Sequence, residues 1–302
     1  MTDLTADMNA PAAKGRSLWD DARRRLLANP AAVISMAVLA IIILLAWLGP
    51  PLWVHEVETI YRDRVGIAPT SENMHWFGTD TEGRDLVARV LFGLRVSLLV
   101  GVIATLVALI IGVLWGAIAG FVGGVVDQVM MRIVDVLYSI PFIFFVILLT
   151  VAVGDRLDDP AQKILLIFAA IGAVEWLTMA RIVRGQTITL RNKEFVEAAR
   201  AGGAGPFAII MRHIVPNVLG PVVVFATINI ARVILLESFL SFLGLGVQEP
   251  LTSLGKLIAD GSNQMETAWW SLVFPAVTMF VTLLCLNFIG DGLRDALDPK
   301  ER

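Results

Sequence analysis

Residues 197–216 read EAARAGGAGPFAIIMRHIVP and lie between two long apolar runs. Glu197, Ala198, Ala199 and Arg200 begin a good helix, which Gly202 and Gly203 interrupt. The two glycines permit a turn and let another backbone approach closely. Pro206 suits the first turn of a second helix, which Phe207 continues, and the chain re-enters an apolar run at Pro216. Helices are expected over about 192–201 and 206–212. The chemistry on offer is recognition rather than catalysis. A short helix–turn–helix held outside a bilayer reads as a docking element, with Glu197 and Arg200 able to pair locally or with a partner surface. On composition alone, a plain amphipathic connection is the simpler reading.

Residue types that do covalent chemistry are sparse. The three histidines, His55, His75 and His213, stand far apart in sequence, and Cys285 is the single cysteine. With no HExxH and no paired histidines, metal catalysis has little support. One cysteine forms no internal disulfide, and an uncharged run suits it as a small packing residue. The single Gly-Lys pair, Gly255-Lys256, has Pro250 where a phosphate loop needs its first glycine and Leu257 where it needs Ser or Thr. No nucleophile elbow or kinase signature occurs. An enzyme is not expected, and no cofactor is expected in this chain.

These residues must be positioned by membrane helices. Of 302 residues 57% are apolar and only 17% charged, with mean hydropathy +0.75. A lipid-facing bundle needs such a composition, whereas a soluble core does not. The net charge of −3 and the absence of a basic stripe give no sign of nucleic acid. Six segments are long enough to span about 30 Å of hydrocarbon: 31–48, 96–126, 136–154, 164–180, 214–231 and 267–290. Apolar runs of this length predict helices, not a barrel. The expected fold is thus all-α and polytopic, with six transmembrane helices.

Cationic residues set the expected orientation. With the amino terminus inside, fifteen Lys and Arg fall on the inner side and eight on the outer, leaving Arg232 within a span. Both termini and the 192–216 loop are then cytoplasmic. Trp47, Trp53, Trp269 and Trp270 fall near the outer interface, where amphipathic rings favour headgroups.

The chain divides into a cytoplasmic tail with an interfacial helix (1–30), a first span (31–50), an external segment (51–95), a five-span core (96–292) and a short cytoplasmic tail (293–302). Ser17 is the expected cap of the interfacial helix, with Leu18, Trp19, Ala22 and Leu26 on one face. A signal peptide would place its apolar run nearer the start, so the first run reads as a retained span. Glu175 and Arg232 are ionisable residues in or near spans, which marks them for the pathway or a cavity. The alternatives are a helix contact for Glu175 and outward snorkelling for Arg232. Phe239 and Phe242 lie in an apolar stretch, 238–244, too short to span; it reads as a half-buried helix shaping an outer gate, or as an interfacial anchor.

The spacing of Glu-Ala-Ala, a glycine six places on and a proline nineteen places on resembles the EAA loop of importer-type ABC permeases. The likeness extends to FGTDTEGRD (77–85), RHIVPNVLG (212–220), ESFLSFLGLG (237–246) and FIGDGLRDALDP (288–299), which look like peptide-type permeases. With GRSLWDDARRR (15–25), these segments resemble the C-type permease subunits of oligopeptide importers over nearly the whole chain. The FGTD and FLGLG segments are shared with dipeptide and nickel permeases.

The resemblance implies a MetI-like, type I importer fold and one subunit of a five-part assembly in the cytoplasmic membrane. A homologous B-type permease would complete the pore, two ABC ATPases (D and F type) would bind ATP and Mg, and an external A-type binding protein would deliver peptide. Carried over, Glu197, Ala198, Ala199 and Gly203 would dock on an ATPase and transmit its closure to the spans. Dipeptide or nickel cargo is the alternative within this class. An ATP-independent carrier or a structural membrane subunit is the alternative outside it.

Overall fold

The computed structural model describes residues 18–153 and 159–297. Ser17, the segment before it and the last five residues of the 293–302 tail lie outside the described residues. The chain runs through α1 (Leu18–Ala28), α2 (Pro30–Leu52), α3 (Leu86–Val122), α4 (Gly124–Ser139), α5 (Phe142–Val153) and α6 (Pro160–Leu190). It continues through α7 (Glu194–Ala201), α8 (Pro206–Ile209), α9 (Val215–Phe242), α10 (Leu254–Ser262) and α11 (Trp270–Leu297). Among the described residues there is no strand, only an isolated bridge between Thr79 and Asp85.

Caps explain where the long helices start. Asn29 Oδ1 accepts from the amides of Ala31 and Ala32 at 3.1 and 3.3 Å, with Pro30 in the first turn of α2. Asp85 caps α3 by accepting from Ala88 N–H at 2.8 Å. Gly123 ends α3 at φ +70°, and Gly124 begins α4 at φ +58°.

Among the described residues, five helices are long and apolar enough to cross a bilayer: α2, α3, most of α6, the run Pro206–Phe242 and α11. The sixth expected span, 136–154, is not one straight helix. It falls within the pair α4–α5, bent by 80° at a short break, so that pair supplies a sixth crossing only if counted as one broken span. Pro141 explains the bend, because it removes an amide donor and drives Ile140 to extended backbone at φ −79°, ψ 121°. The span expected over 96–126 in fact starts ten residues earlier, at Leu86.

At 37 residues, α3 is the axis of the bundle, about 55 Å long at 1.5 Å per residue. Its contact with α6 runs along Gly112, Gly116 and Gly120, one turn apart. A Cβ at Gly112 would stand 2.6 Å from Met179 Cβ, and one at Gly120 would stand 2.8 Å from Arg184 O. With little hydrophobic drive between helices in lipid, such small residues let backbones close up and gain dispersion contact. On another face Gly101 meets Ile230 and Ile234 of α9. The opposite ends of α3 therefore sit in different structures. Its start lies against residues 53–85, α10 and α11, and its end lies against α7.

Candidate functional site

At the far end of α3 the chain forms the expected elbow. α7 turns Val196 fully inward, into a cluster with Ile209, Ile210, Ile214 and Val218. The opposite face presents Glu194, Glu197, Ala198 and Ala201, spaced three and four apart, to the surroundings. The helix ends in a Schellman motif. Ala204 N–H donates to Ala199 O at 3.0 Å and Gly203 N–H to Arg200 O at 2.9 Å, with Gly203 at φ +82°. Gly202 sits at φ −74°, where any residue is at ease. Among the described residues, chain neighbours aside, no atom lies within 4 Å of a Cβ built on Gly203. The glycine is needed for its backbone angle, and its Cα side faces open space.

The second helix is shorter than the sequence suggests. Pro206 starts α8 as expected, but after Ile209 the backbone widens into a π-helical stretch, Ile210–Ile214, that runs straight into α9. Pro216 accounts for this, since its ring would crowd the carbonyl of Arg212 in a regular α-turn. Phe207 projects from the elbow, 75% exposed.

A hydrogen bond and a cation–π contact tie the elbow to α3, and salt bridges tie α6 to α4. Arg191 Nη1 donates to Gly120 O at 3.0 Å, and the Arg200 guanidinium lies 5.2 Å from the centre of the Phe121 ring. Arg184 grips Asp127 of α4 through two bonds of 2.5 and 2.6 Å, and Arg181 reaches Asp135 at 2.8 Å. Among the described residues no ion pair joins Glu197 to Arg200, so the local pairing considered from the sequence does not form.

The other candidates lie elsewhere. Glu175 is buried in α6 with one carboxylate oxygen unpartnered, while Arg232 of α9 is exposed and near enough to act on it electrostatically. Phe239 and Phe242 are exposed on the last turns of α9. The 238–244 stretch is therefore not a separate half-buried helix; nothing in it breaks the helical run before Leu243.

Two polar clusters escaped sequence reading. His55 and His75 stack at 4.3 Å, beside Asp85, and all three are buried. Far apart in sequence, they meet because residues 53–85 fold back on the start of α3. Asp85 gathers Trp53 Nε1 at 2.9 Å, His75 Nδ1 at 2.8 Å and its own capping bond. His55 Nε2 donates to Asn73 O at 2.7 Å, Tyr61 O–H pairs with its Nδ1 at 2.8 Å, and Arg64 Nη1 faces His75 Nε2 at 3.3 Å. All four ring nitrogens have protein partners, so the cluster reads as a structural clamp rather than a ligand set. Beside it, burial pulls the Arg84 guanidinium down, but Asp80 and Glu249 outweigh that and hold it above its ordinary value. The second cluster centres on Glu237, fully buried, which accepts from Ser241 and Ser253 at 2.7 Å each. Ser253 caps α10, so this carboxylate pins α10 to α9. The Glu–Ser spacing of four in ESFLS was the available signal.

Apolar helices of spanning length around a glycine-packed axis, with an exposed elbow at one end, define a multi-pass α-helical membrane protein. The chain belongs to the family of binding-protein-dependent transport system inner membrane components, whose model matches residues 112–302. Residues 17–69 match the N-terminal TM domain of oligopeptide transport permease C. The chain is 57% identical, over 96% of its length and 93% of the relative's, to the oligopeptide transport system permease protein OppC of Escherichia coli K12. It is equally similar, at 57%, to OppC of Salmonella typhimurium over 96% of its length and 93% of that protein. The dipeptide transport system permease protein DppC of Bacillus subtilis is 42% identical, over 95% of this chain and 87% of that protein.

Proposed function

We propose that this chain is the permease subunit of an ATP-driven importer of oligopeptides, worked by separate ATPase subunits through the α7–α8 elbow. The observation that carries this is the elbow itself, an exposed surface of Glu197, Ala198, Pro206 and Phe207 on a turn braced against α3. An exposed aromatic beside a small-residue patch is a good anchor for a partner protein. In this reading Glu197, Ala198, Ala199 and Arg200 meet an ATPase, Gly203 sets the angle of the turn, and Pro206 and Phe207 complete the seat. Closure of the ATPases moves the elbow, and the Arg191 and Arg200 contacts pass that movement to α3. ATP and Mg belong to the ATPases.

A homologous second permease would complete the pathway, with alternating access between the two, and an external binding protein would select the peptide. Glu175, Arg232, Phe239 and Phe242 are the proposed pathway or gate residues. The elbow and both termini are assigned to the cytoplasm from the bias of fifteen cationic residues to eight.

The test is affinity purification of the tagged chain from membranes, followed by an ATPase assay. Co-purification of a second permease and P-loop ATPases, with hydrolysis stimulated by peptide-loaded binding protein, is the expected result. A folded chain that emerges alone and moves solute in liposomes without ATP would refute it. The dipeptide-named relative raises one competing cargo, which stimulation by dipeptides alone would establish.

A further inference from the structure

Among the described residues only Asn73 and Met74 take left-handed backbone without being glycine, at φ +56° and +62°. Asparagine tolerates that conformation, but a side chain as long as methionine avoids it. Such a turn persists only where its surroundings over-determine it. Here His55 Nε2 donates to Asn73 O at 2.7 Å, Met74 N–H donates to Ser71 O at 3.2 Å, and Thr70 N–H donates to His75 O at 3.0 Å. The protein does not cover the side chains that the turn presents. Met74 is exposed, and so is Trp76, at 53%.

The turn stands beside the end of a membrane helix. The Trp76 ring meets the Trp53 ring edge-on at 4.8 Å, and Trp53 is the residue that caps α2. At 23 residues α2 is about 34 Å long, close to the thickness of the hydrocarbon, so its cap lies where acyl chains give way to headgroups. Of the five spans α2 has the smallest share buried inside the protein, 17%, so most of it faces lipid. Ile41, Leu45, Leu48 and Leu52 are exposed at helical spacing and lead along one face of α2 to that cap. Residues 53–76 carry four carboxylates, Glu56, Glu58, Asp63 and Glu72, against Arg62 and Arg64. With no basic surplus, the segment has nothing to draw it to anionic lipid.

We propose that the 73–76 turn is a membrane anchor, which sets Trp76 and Met74 into the zwitterionic headgroup layer of the leaflet at the end of α2. A tryptophan ring is amphipathic and favours this depth. The Trp76 Nε1–H, unpaired among the described residues, is left to donate to a headgroup oxygen. An unbranched thioether adapts to the irregular packing there. The buried clamp of His55, His75 and Asp85 then does more than join residues 53–85 to α3, because its His55 bond holds the turn that faces lipid. The anchor rests on α2 being a span and is independent of the transport reading.

Nitroxide depth measurement on the full-length chain in phosphatidylcholine vesicles tests the proposal. Cys285→Ser supplies the background, since Ser35 already bonds that buried thiol. Single labels then go on Trp76→Cys, Met74→Cys, Glu58→Cys as a site in water, and Ile41→Cys as a site in mid-span, with each melting temperature recorded. The signal is relaxation by oxygen, which concentrates in lipid, over relaxation by a neutral nickel chelate supplied on both sides of the vesicle. At 76 and 74 this ratio should exceed that at 58 by at least roughly threefold and stay below that at 41, as the headgroup boundary requires. Adding phosphatidylglycerol should leave it unchanged. Labels at 76 and 74 that match position 58, in chains that melt normally, would overturn the proposal and leave the turn to a soluble partner. Lipid contact that appears only with phosphatidylglycerol would overturn the zwitterionic assignment. A label at 41 that behaves as if in water would overturn the span beneath the anchor, and the anchor with it.

Discussion

Alanine at position 203 would isolate the backbone requirement of the elbow. Gly203 holds φ +82°, and a Cβ there meets nothing within 4 Å, so Gly203→Ala carries a conformational penalty and no clash. For an L-residue in left-handed backbone that penalty is about 1–2 kcal/mol. It falls on the two reverse bonds, Gly203 N–H to Arg200 O and Ala204 N–H to Ala199 O. Hydrogen exchange read by mass spectrometry should therefore speed up roughly 5- to 30-fold at these amides, while the middle of α3 is unchanged. Gly203→Asn should restore most of the protection, because asparagine tolerates this conformation. Gly202→Ala should change nothing, since its φ is −74° and its nearest contact would be Ala198 O at 3.4 Å. In the isolated chain Gly203→Leu should match Gly203→Ala; in the proposed assembly it should lower coupled ATP hydrolysis further, by obstructing whatever seats on the open face. Wild-type protection in Gly203→Ala, or greater damage from Gly202→Ala, would refute the reasoning.

Other outcomes follow from the same geometry. Gly116→Val overfills the α3–α6 contact at the backbone of Ala180 and should cost about 1–3 kcal/mol, lowering the melting temperature, whereas Gly185→Val enters open space and should not. Phe207→Ala removes a side chain that is 75% exposed, so stability should move by less than about 0.5 kcal/mol. ATPase co-purification and peptide-stimulated hydrolysis should nevertheless fall if this ring is an anchor. Asp85→Asn breaks a buried carboxylate that holds Trp53, His75 and the start of α3. Thermal unfolding should report a loss of about 1.5–3 kcal/mol for each charged bond removed; an unchanged melting temperature would show that the clamp is not structural.

Much of the architecture is present in local sequence, because lipid demands long apolar helices and turns demand particular residues. The spans, the α-helical class and the family likeness need only hydropathy and short motifs. The elbow was legible for the same reason: Gly203 and Pro206 act through their own backbones, so their positions alone place the end of α7 and the start of α8. The bend at Pro141 and the π-helical run before Pro216 were written in the same residues, yet their form depends on what the neighbouring helices allow. Contacts between distant segments were not legible. His55, His75 and Asp85 became a clamp only when residues 53–85 folded onto α3, and Gly112, Gly116 and Gly120 became a seam only when α6 lay against them. Hydropathy and propensity are properties of a residue and its neighbours in sequence, whereas a cavity or a clamp is a property of helices brought together in three dimensions.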